Sequence, residues 1–160
     1  MSIERAKKHL SRWGKDSMVV EHEASSATVE LAALALGTDA ARIAKTLSFL
    51  NGERTILVVA AGDARVDSAK FKKAFGIKKA RMVPAEEVEP RIGHAIGGVC
   101  PFGVNEGVDV WLDESLRRYA TVFPACGSSN SAIELTCEEL ERYSNAAGWI
   151  DVCKNWQETE

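Results

Sequence analysis

The feature that most constrains this chain is the segment 93–103, which holds four glycines and one proline in eleven residues and no Asp, Glu, Lys or Arg. Its apolar residues Ile96, Val99 and Phe102 favour burial, so the segment is not expected to lie flat on the surface. Glycine admits positive φ and lets backbone N–H groups approach a bound group closely. The segment therefore predicts either a pocket wall that offers main-chain donors to a small polar ligand, or a tight, buried turn between strands.

Size and composition are those of a globular protein with one domain. The chain has 160 residues, of which 46% are hydrophobic and 27% charged. No apolar run approaches the ~20 residues of a membrane helix, and the charged N-terminus lacks a signal-peptide core, so we expect a cytoplasmic protein without a membrane partner. The net charge of −3 argues against general binding of nucleic acid such as DNA. Four cysteines without a C-x-x-C spacing predict neither a metal site nor a bound cofactor.

Helical and strand patterns alternate along the chain and predict a mixed α/β (α+β) fold with several short strands and about five helices. Helices are predicted at 2–13, 25–36 and 68–75, then from Pro84 to Val88, and finally from a capping box of Thr136 with Glu139. Strands are predicted at 18–22, 43–50, 55–61, 108–112, 119–123, 133–135 and 149–153, with Asn51-Gly52 as a hairpin turn. No repeat or linker interrupts the pattern, so we expect one domain over 1–153 and a polar tail over 154–160.

Lys45 is an anomaly in the predicted strand 43–50. Side chains alternate between faces with period two, which places Lys45 on the face of the larger apolar residues, Leu47 and Phe49. A lysine there must extend to solvent, pair with an anion or lose its proton. The pattern is compatible with a strand-end lysine whose stem covers apolar surface, and with a cation at the floor of a pocket.

Basic residues concentrate in one stretch of this acidic chain. Seven fall within the seventeen positions 65–81: Arg65, Lys70, Lys72, Lys73, Lys78, Lys79 and Arg81. The stretch is either a surface for a polyanion or a solvated face without a partner.

Three segments together resemble the YbaK/prolyl-tRNA-synthetase-associated domain family, whose members deacylate mischarged tRNA. They are Ile-Ala-Lys-Thr-Leu at 43–47, Gly-Gly-Val-Cys-Pro-Phe-Gly at 97–103, and Ile-Glu-Leu-Thr at 133–136 with Glu-Glu-Leu at 138–140. The resemblance spans roughly 22–152. It implies a curled, mostly antiparallel mixed sheet flanked by helices, an active site in a cleft, an essential lysine at Lys45, and a pocket lined by 97–103.

The chain departs from the family in one loop. Many bacterial members carry a Gly-Lys-Arg-Gly-type segment before the late Ile-Glu-Leu strand, whereas 127–131 here reads Gly-Ser-Ser-Asn-Ser without a basic residue. This loop helps to define the expected pocket, so the departure leaves undecided which amino acid is removed. The basic stretch could supply phosphate contacts instead.

The implied reaction is hydrolysis of the ester of a mischarged aminoacyl-tRNA in trans, with a small amino acid such as alanine on tRNA-Pro or a related tRNA. Lys45 is expected to act as a cation, or as a base if its pKa is strongly lowered. Backbone N–H groups of Gly97, Gly98 and Gly103 are the expected oxyanion donors. The expected substrate pocket consists of His22, Val29, Pro101, Phe102, Cys126, Gly127, Ser128, Ser129 and Asn130. The expected tRNA-binding residues are Lys70, Lys72, Lys73, Lys78, Lys79 and Arg81.

Two other functions remain open at this point. One is a cysteine-dependent hydrolase that uses Cys100 with His94 or His22. The other is a non-catalytic module that binds tRNA or an aminoacyl-tRNA synthetase. The sequence leaves the tRNA, the oligomeric state and the need for a synthetase partner undecided.

Overall fold

The structure is a computed structural model that describes residues 2–21 and 28–154. These residues form five α-helices and ten strands. The five α-helices are α1 (Ser2–Leu10), α2 (Val29–Leu36), α3 (Ser68–Phe75), α4 (Ala85–Ile92) and α5 (Cys137–Tyr143). The ten strands are β1 (Val20–Glu21), β2 (Ile43–Asn51), β3 (Arg54–Ala61), β4 (Arg65–Val66), β5 (Val108–Asp113), β6 (Thr121–Pro124), β7 (Ser131–Ala132), β8 (Leu135–Thr136), β9 (Gly148–Ile150) and β10 (Cys153–Lys154).

Six strands form the main sheet, in the order β8-β6-β2-β3-β5-β9. The pairs β2/β3 and β6/β8 are antiparallel, whereas β2/β6, β3/β5 and β5/β9 are parallel. The short strands form two further antiparallel pairs, β1/β7 and β4/β10. The expected mixed sheet with about five helices is confirmed. Four of the seven pairings among the described strands are antiparallel, but within the six-stranded sheet three of the five are parallel.

Strand β3 lies at the centre of the core. Its residues from Ile56 to Ala61 are at most 1% exposed, as its continuous apolar run predicts. It pairs with β2 along the whole hairpin, from Ala44 opposite Ala61 to Asn51 opposite Arg54. Because Asn51 belongs to the last pair, the two-residue loop is Gly52-Glu53 rather than Asn51-Gly52, and Gly52 takes the positive φ of +65° that the turn needs.

The opposite edge of β2 is only partly covered. Strand β6 pairs with β2 at Ile43 and Ala44 alone. At the other end, residues 81–83 run beside β2: the N–H of Val83 donates to the carbonyl of Ser48 (3.1 Å), and the N–H of Leu50 donates to the carbonyl of Arg81 (2.8 Å). No described strand covers residues 45–47 on this side, which leaves a gap in the sheet at the middle of β2.

The N-terminal third differs from the expected boundaries. Helix α2 begins at Val29, because the Thr28 side chain caps it by accepting the N–H of Leu31 (3.1 Å). The expected start at Ser25 lies outside the described residues. Of the strand predicted at 18–22, the described residues form only β1, since Asp16–Met18 make a 3₁₀ helix. His22, an expected pocket residue, lies outside the described residues.

Helices α3 and α5 are capped as predicted. Asp67 caps α3 through the N–H groups of Ala69 and Lys70, and Thr136 with Glu139 forms the predicted capping box of α5. Helix α4 runs to Ile92, beyond the predicted end at Val88.

Three strands predicted in the C-terminal half have other boundaries. The stretch 119–123 becomes β6 from Thr121 onward, because a 3₁₀ helix occupies Glu114–Arg118. The prediction of one strand at 133–135 is wrong. Ile133 lies between β7 and β8, and its N–H donates to the carbonyl of Pro124.

The last predicted strand, 149–153, is divided into β9 and β10. The buried carboxylate of Asp113 accepts the N–H of Val152 (2.9 Å), which turns the chain between the two strands. A polar tail was expected to begin at Lys154. This residue instead belongs to β10 and pairs with Arg65 of β4.

Candidate active site

A cavity of about 440 Å³ lies at the gap in β2. Its walls come from β2, α2, residues 82–88, the loop that contains Ile96, Gly97 and Val99, and the segment from Phe123 to Ala132. Since the cavity lies at a strand edge, β2 contributes residues from both of its faces, Lys45 from one and Thr46 from the other. Most of the lining is apolar, and a few hydroxyl groups and one amine supply polarity, which is the usual character of a small-molecule site.

Lys45 lies in the middle of β2 and is partly buried. Its ammonium group donates to the carbonyl oxygens of Gly62 (3.3 Å) and Ala64, in the loop that follows β3. Burial lowers the pKa of Lys45 below its ordinary value, and the nearby carboxylate of Asp63 only partly opposes that effect. The structure thus places an amine with a lowered pKa in the cavity wall, held by main-chain carbonyls.

Gly97 and Gly98 occupy different positions in the glycine loop. Gly97 lines the cavity with a φ of +89°. Gly98 does not line it: its N–H donates to the carbonyl of Ala95 (2.9 Å), and a Cβ atom there would lie 2.3 Å from the carbonyl oxygen of Gly127. Among the expected oxyanion donors, Gly97 is therefore the one placed at the cavity.

The far end of the glycine loop turns away from the cavity. Gly103 accepts a hydrogen bond from the guanidinium of Arg5 on α1, and it lines a separate groove together with Pro101. Phe102 is fully buried in the core. The expectation that Pro101, Phe102 and Gly103 border the substrate is therefore corrected, because α1 packs against this side of the loop.

The loop after β6 contributes only some of its expected residues. Ser128 and Ser129 line the cavity. Cys126 is fully buried, Gly127 packs against Gly98, and Asn130 lies within hydrogen-bonding distance of the Ser128 hydroxyl (2.8 Å). Cys126, Gly127 and Asn130 thus support the loop rather than line the cavity. Val29 of α2 does line the cavity, as expected.

Cys100 and His94 are neighbours, but both are fully buried. The Cys100 sulfur lies 3.5 Å from Nε2 of His94, and the same nitrogen lies 2.7 Å from the carbonyl of Phe102. Burial raises the pKa of Cys100 to about 12 and lowers the pKa of His94. A buried, protonated thiol that does not line the cavity is poorly suited to be a nucleophile.

The basic stretch leads directly to the cavity. Lys72, Lys73, Lys78, Lys79 and Arg81 are exposed. Met82 and Val83, which follow Arg81, line the cavity. Lys70 differs from the others, because it pairs with Asp151 (3.1 Å) and donates to the carbonyl of Cys153 (2.9 Å).

Sequence reasoning missed Thr46 and Ser48 as site residues. Both line the cavity from the face of β2 opposite Lys45. The strand pattern contains a signal for them, since Thr46 and Ser48 are small polar residues on the face of 43–50 that does not carry Lys45.

Within the described residues, no helix is long and apolar enough to span a membrane, and no group of three or more His, Cys, Asp or Glu side chains is arranged to hold a metal ion.

Several known proteins are similar to this chain. It is 52% identical over 158 residues to the uncharacterized protein YwhH of Bacillus subtilis, a match that covers 98% of this chain and 100% of YwhH. It is 28% identical over 141 residues to EbsC of Enterococcus faecalis, provisionally named a Cys-tRNA(Pro)/Cys-tRNA(Cys) deacylase, covering 87% of this chain and 80% of EbsC. A crystal structure provisionally described as a trans-editing enzyme for prolyl-tRNA synthetase superimposes with a TM-score of 0.86 at 32% identity, covering 96% of this chain and 98% of the other.

A family-wide sequence profile gives the assignment. The profile of the aminoacyl-tRNA editing domain matches residues 23–143, which include Lys45 and the whole glycine loop. The match covers well over half of the chain and confirms the resemblance to the YbaK-type family found in the sequence. This chain therefore belongs to the aminoacyl-tRNA editing domain family.

Proposed function

We propose that this protein is an aminoacyl-tRNA deacylase that hydrolyses the ester of a tRNA mischarged with a small amino acid. The observation that carries the proposal is that Lys45 and Gly97 line one cavity in a chain of the editing-domain family. The cavity, about 440 Å³, falls within the ~300–1,000 Å³ typical of small-molecule sites.

The reaction is addition of water across an ester bond. Water attacks the carbonyl carbon, the bond from that carbon to the ribose oxygen breaks, and the proton lost by the water is balanced by the proton that the ribose oxygen gains. An aminoacyl ester is already activated, so the protein needs mainly to orient the water and to stabilise the negative charge on the carbonyl oxygen. We assign the N–H of Gly97, which lines the cavity, as the donor to that oxygen.

Lys45 supplies positive charge to the same site. An ammonium group has three N–H donors, and Lys45 directs two toward the carbonyls of Gly62 and Ala64. The third is available for the carbonyl oxygen or for a phosphate oxygen of the terminal nucleotide. Those carbonyls accept hydrogen bonds and favour the charged amine, so we assign Lys45 as a cation rather than as a base.

The apolar part of the cavity wall supports a small amino acid. Val29 and Ala32 of α2 face the cavity, and Ser128 and Ser129 lie in another part of its wall. A size-limited pocket excludes large side chains but separates small ones weakly, by about 1–3 kcal/mol per methylene. The name of EbsC, which refers to cysteine on tRNA-Pro and tRNA-Cys, supports a residue of alanine or cysteine size.

The basic stretch is the proposed contact for the tRNA backbone. Its exposed lysines precede Met82 at the cavity wall, so phosphates bound there would continue toward an acceptor end in the cavity. The chain is also 26% identical over 107 residues to a proline--tRNA ligase of Bacillus cytotoxicus, of which the match covers 19%. That similarity supports tRNA-Pro as the first tRNA to test and a synthetase as a candidate partner.

The experiment is a deacylation screen over tRNAs charged with small and large amino acids. We expect hydrolysis of an alanyl or cysteinyl ester, and no acceleration for a leucyl or phenylalanyl ester on the same tRNA. Binding of tRNA without release of any amino acid would instead identify a non-catalytic module.

A further inference from the structure

At the gap in β2, no described strand pairs with Thr46 on the side away from β3. Ser48 and Leu50 direct their main-chain groups toward residues 81–83, and residues along a strand alternate in this direction with period two. Thr46 therefore directs its N–H and carbonyl toward the same side, between the end of β6 and Val83. A strand edge without a neighbouring strand leaves such groups available to a ligand.

The side chain of Thr46 adds an unsatisfied polar atom at the same place. Its Oγ1 is buried and has no hydrogen-bond partner among the described residues, although the residue lines the cavity. A buried hydroxyl without a partner is unfavourable, so its retention in a cavity wall points to a ligand that completes it. The hydroxyl and the main-chain carbonyl are thus two acceptors of one residue in the cavity wall.

We propose that Thr46 binds the free α-ammonium group of the aminoacyl ester, through Oγ1 and its main-chain carbonyl oxygen. This assignment rests on the proposed function and names the chemical group that positions the ester for hydrolysis. An ammonium group presents three donors and no acceptor, which matches a pair of oxygen acceptors. Hydrogen bonds to a charged group are stronger than neutral ones, so the site distinguishes an amino acid ester from an ester of equal size without the amine.

The arrangement keeps two cations apart. Adjacent side chains of a strand point to opposite faces, and the Lys45 amine is held toward the carbonyls of Gly62 and Ala64. The α-ammonium group of the substrate would lie on the Thr46 face, while Lys45 acts from the other face at the same strand edge. Lys45 thus need not compete with the substrate amine for the same acceptors.

The test compares alanyl-tRNA with lactyl-tRNA, which carries a hydroxyl in place of the amine, for the wild type, Thr46→Val and Thr46→Ser. Rates are divided by the spontaneous hydrolysis rate of each ester. We expect Thr46→Val to lose about 10- to 100-fold in kcat/KM for the alanyl ester and much less for the lactyl ester. Thr46→Ser should retain most of the wild-type preference. The melting temperature of Thr46→Val should stay equal or rise, since valine removes an unpaired hydroxyl with little change of shape.

A binding measurement separates this assignment from the proposed function. The probes are 3′-alanylamido-3′-deoxyadenosine and its lactyl counterpart, which are not hydrolysed, measured by calorimetry. Tighter binding of the amine probe that disappears in Thr46→Val supports the assignment, even if the wild type cleaves no ester and the proposed function fails. Equal losses for both esters with a lower melting temperature, or an unchanged preference in Thr46→Val, would overturn it.

Discussion

Gly98 and Gly127 bring two loops into contact through their main chains: a Cβ atom on Gly98 would lie 2.3 Å from the carbonyl oxygen of Gly127. These residues belong to the two loops that supply Gly97 and Ser128 to the cavity. The glycine at 98 thus sets the distance between two walls of the site, although its own N–H is used in a turn with Ala95.

Gly98→Ala should therefore disturb the fold and the site together. Its added methyl meets a main-chain carbonyl that cannot move alone, and overpacking of this kind costs about 1–3 kcal/mol. Gly107→Ala is the control outside the cavity, because nothing lies within 4 Å of its Cβ, although a φ of +89° disfavours alanine. Thermal unfolding and deacylation of both variants check this. A Gly98→Ala protein with wild-type stability and activity would contradict the packing argument.

Cys100→Ala should keep deacylase activity within about threefold of the wild type. Burial raises the pKa of Cys100 to about 12, so the thiol stays protonated at neutral pH and does not act as a nucleophile. The change should lower the free energy of unfolding by about 1 kcal/mol, because it leaves a small void in the core. Loss of activity with an unchanged melting temperature would revive the cysteine-dependent hydrolase.

The pH dependence separates the two roles open to Lys45. Burial lowers its pKa below the ordinary value of 10.5. If the cation is required, kcat/KM corrected for spontaneous hydrolysis should fall as the pH rises through this lowered pKa. A rise over the same range would identify the neutral amine as a base.

The stability of the protein should show the same pKa. Between the lowered pKa of the folded protein and 10.5, the Lys45 side chain binds more protons in the unfolded chain than in the folded one. The contribution of Lys45 to the free energy of unfolding should therefore increase as the pH rises through that interval. Lys45→Met should lack this contribution. Denaturant unfolding of both proteins at neutral and alkaline pH measures the difference, and parallel pH profiles would argue against a lowered pKa.

Removing the exposed lysines at 72, 73, 78 and 79 should weaken tRNA binding in a salt-dependent way. Each lost phosphate contact flattens the slope of log K against log salt by ~0.7–0.9. We expect a higher KM with little change in kcat, measured by deacylation between low and high salt. Lys8→Ala on α1 is the control, since this exposed lysine does not line the cavity. Equal salt slopes for the four-lysine variant and the wild type would exclude this stretch as the tRNA contact.

Local patterns predicted the elements that depend on nearby residues. The apolar run of β3, the Asp67 cap of α3 and the capping box at Thr136 follow from side chains within a few positions. The pattern and the family resemblance together also singled out Lys45 and Gly97, which the structure brings to one cavity.

Features set by distant partners could not be read from the sequence. Residues 81–83 carry no strand pattern, so the sequence did not predict that they run beside β2 and border the gap. Gly103 faces away from the cavity because Arg5, 98 residues earlier, binds its carbonyl. The last strand is interrupted because Asp113 accepts the N–H of Val152 across the fold.

The most direct test of the account is the single-turnover rate of deacylation by Lys45→Met, measured on the small aminoacyl-tRNA that the wild type cleaves. Methionine keeps an unbranched apolar side chain of similar length and lacks the amine. We predict a loss of about 10²–10³-fold, the scale seen when a group that stabilises an oxyanion is removed, with tRNA still bound. A Lys45→Met protein that folds and cleaves the ester at the wild-type rate would contradict the assignment of Lys45 and, with it, the proposed site.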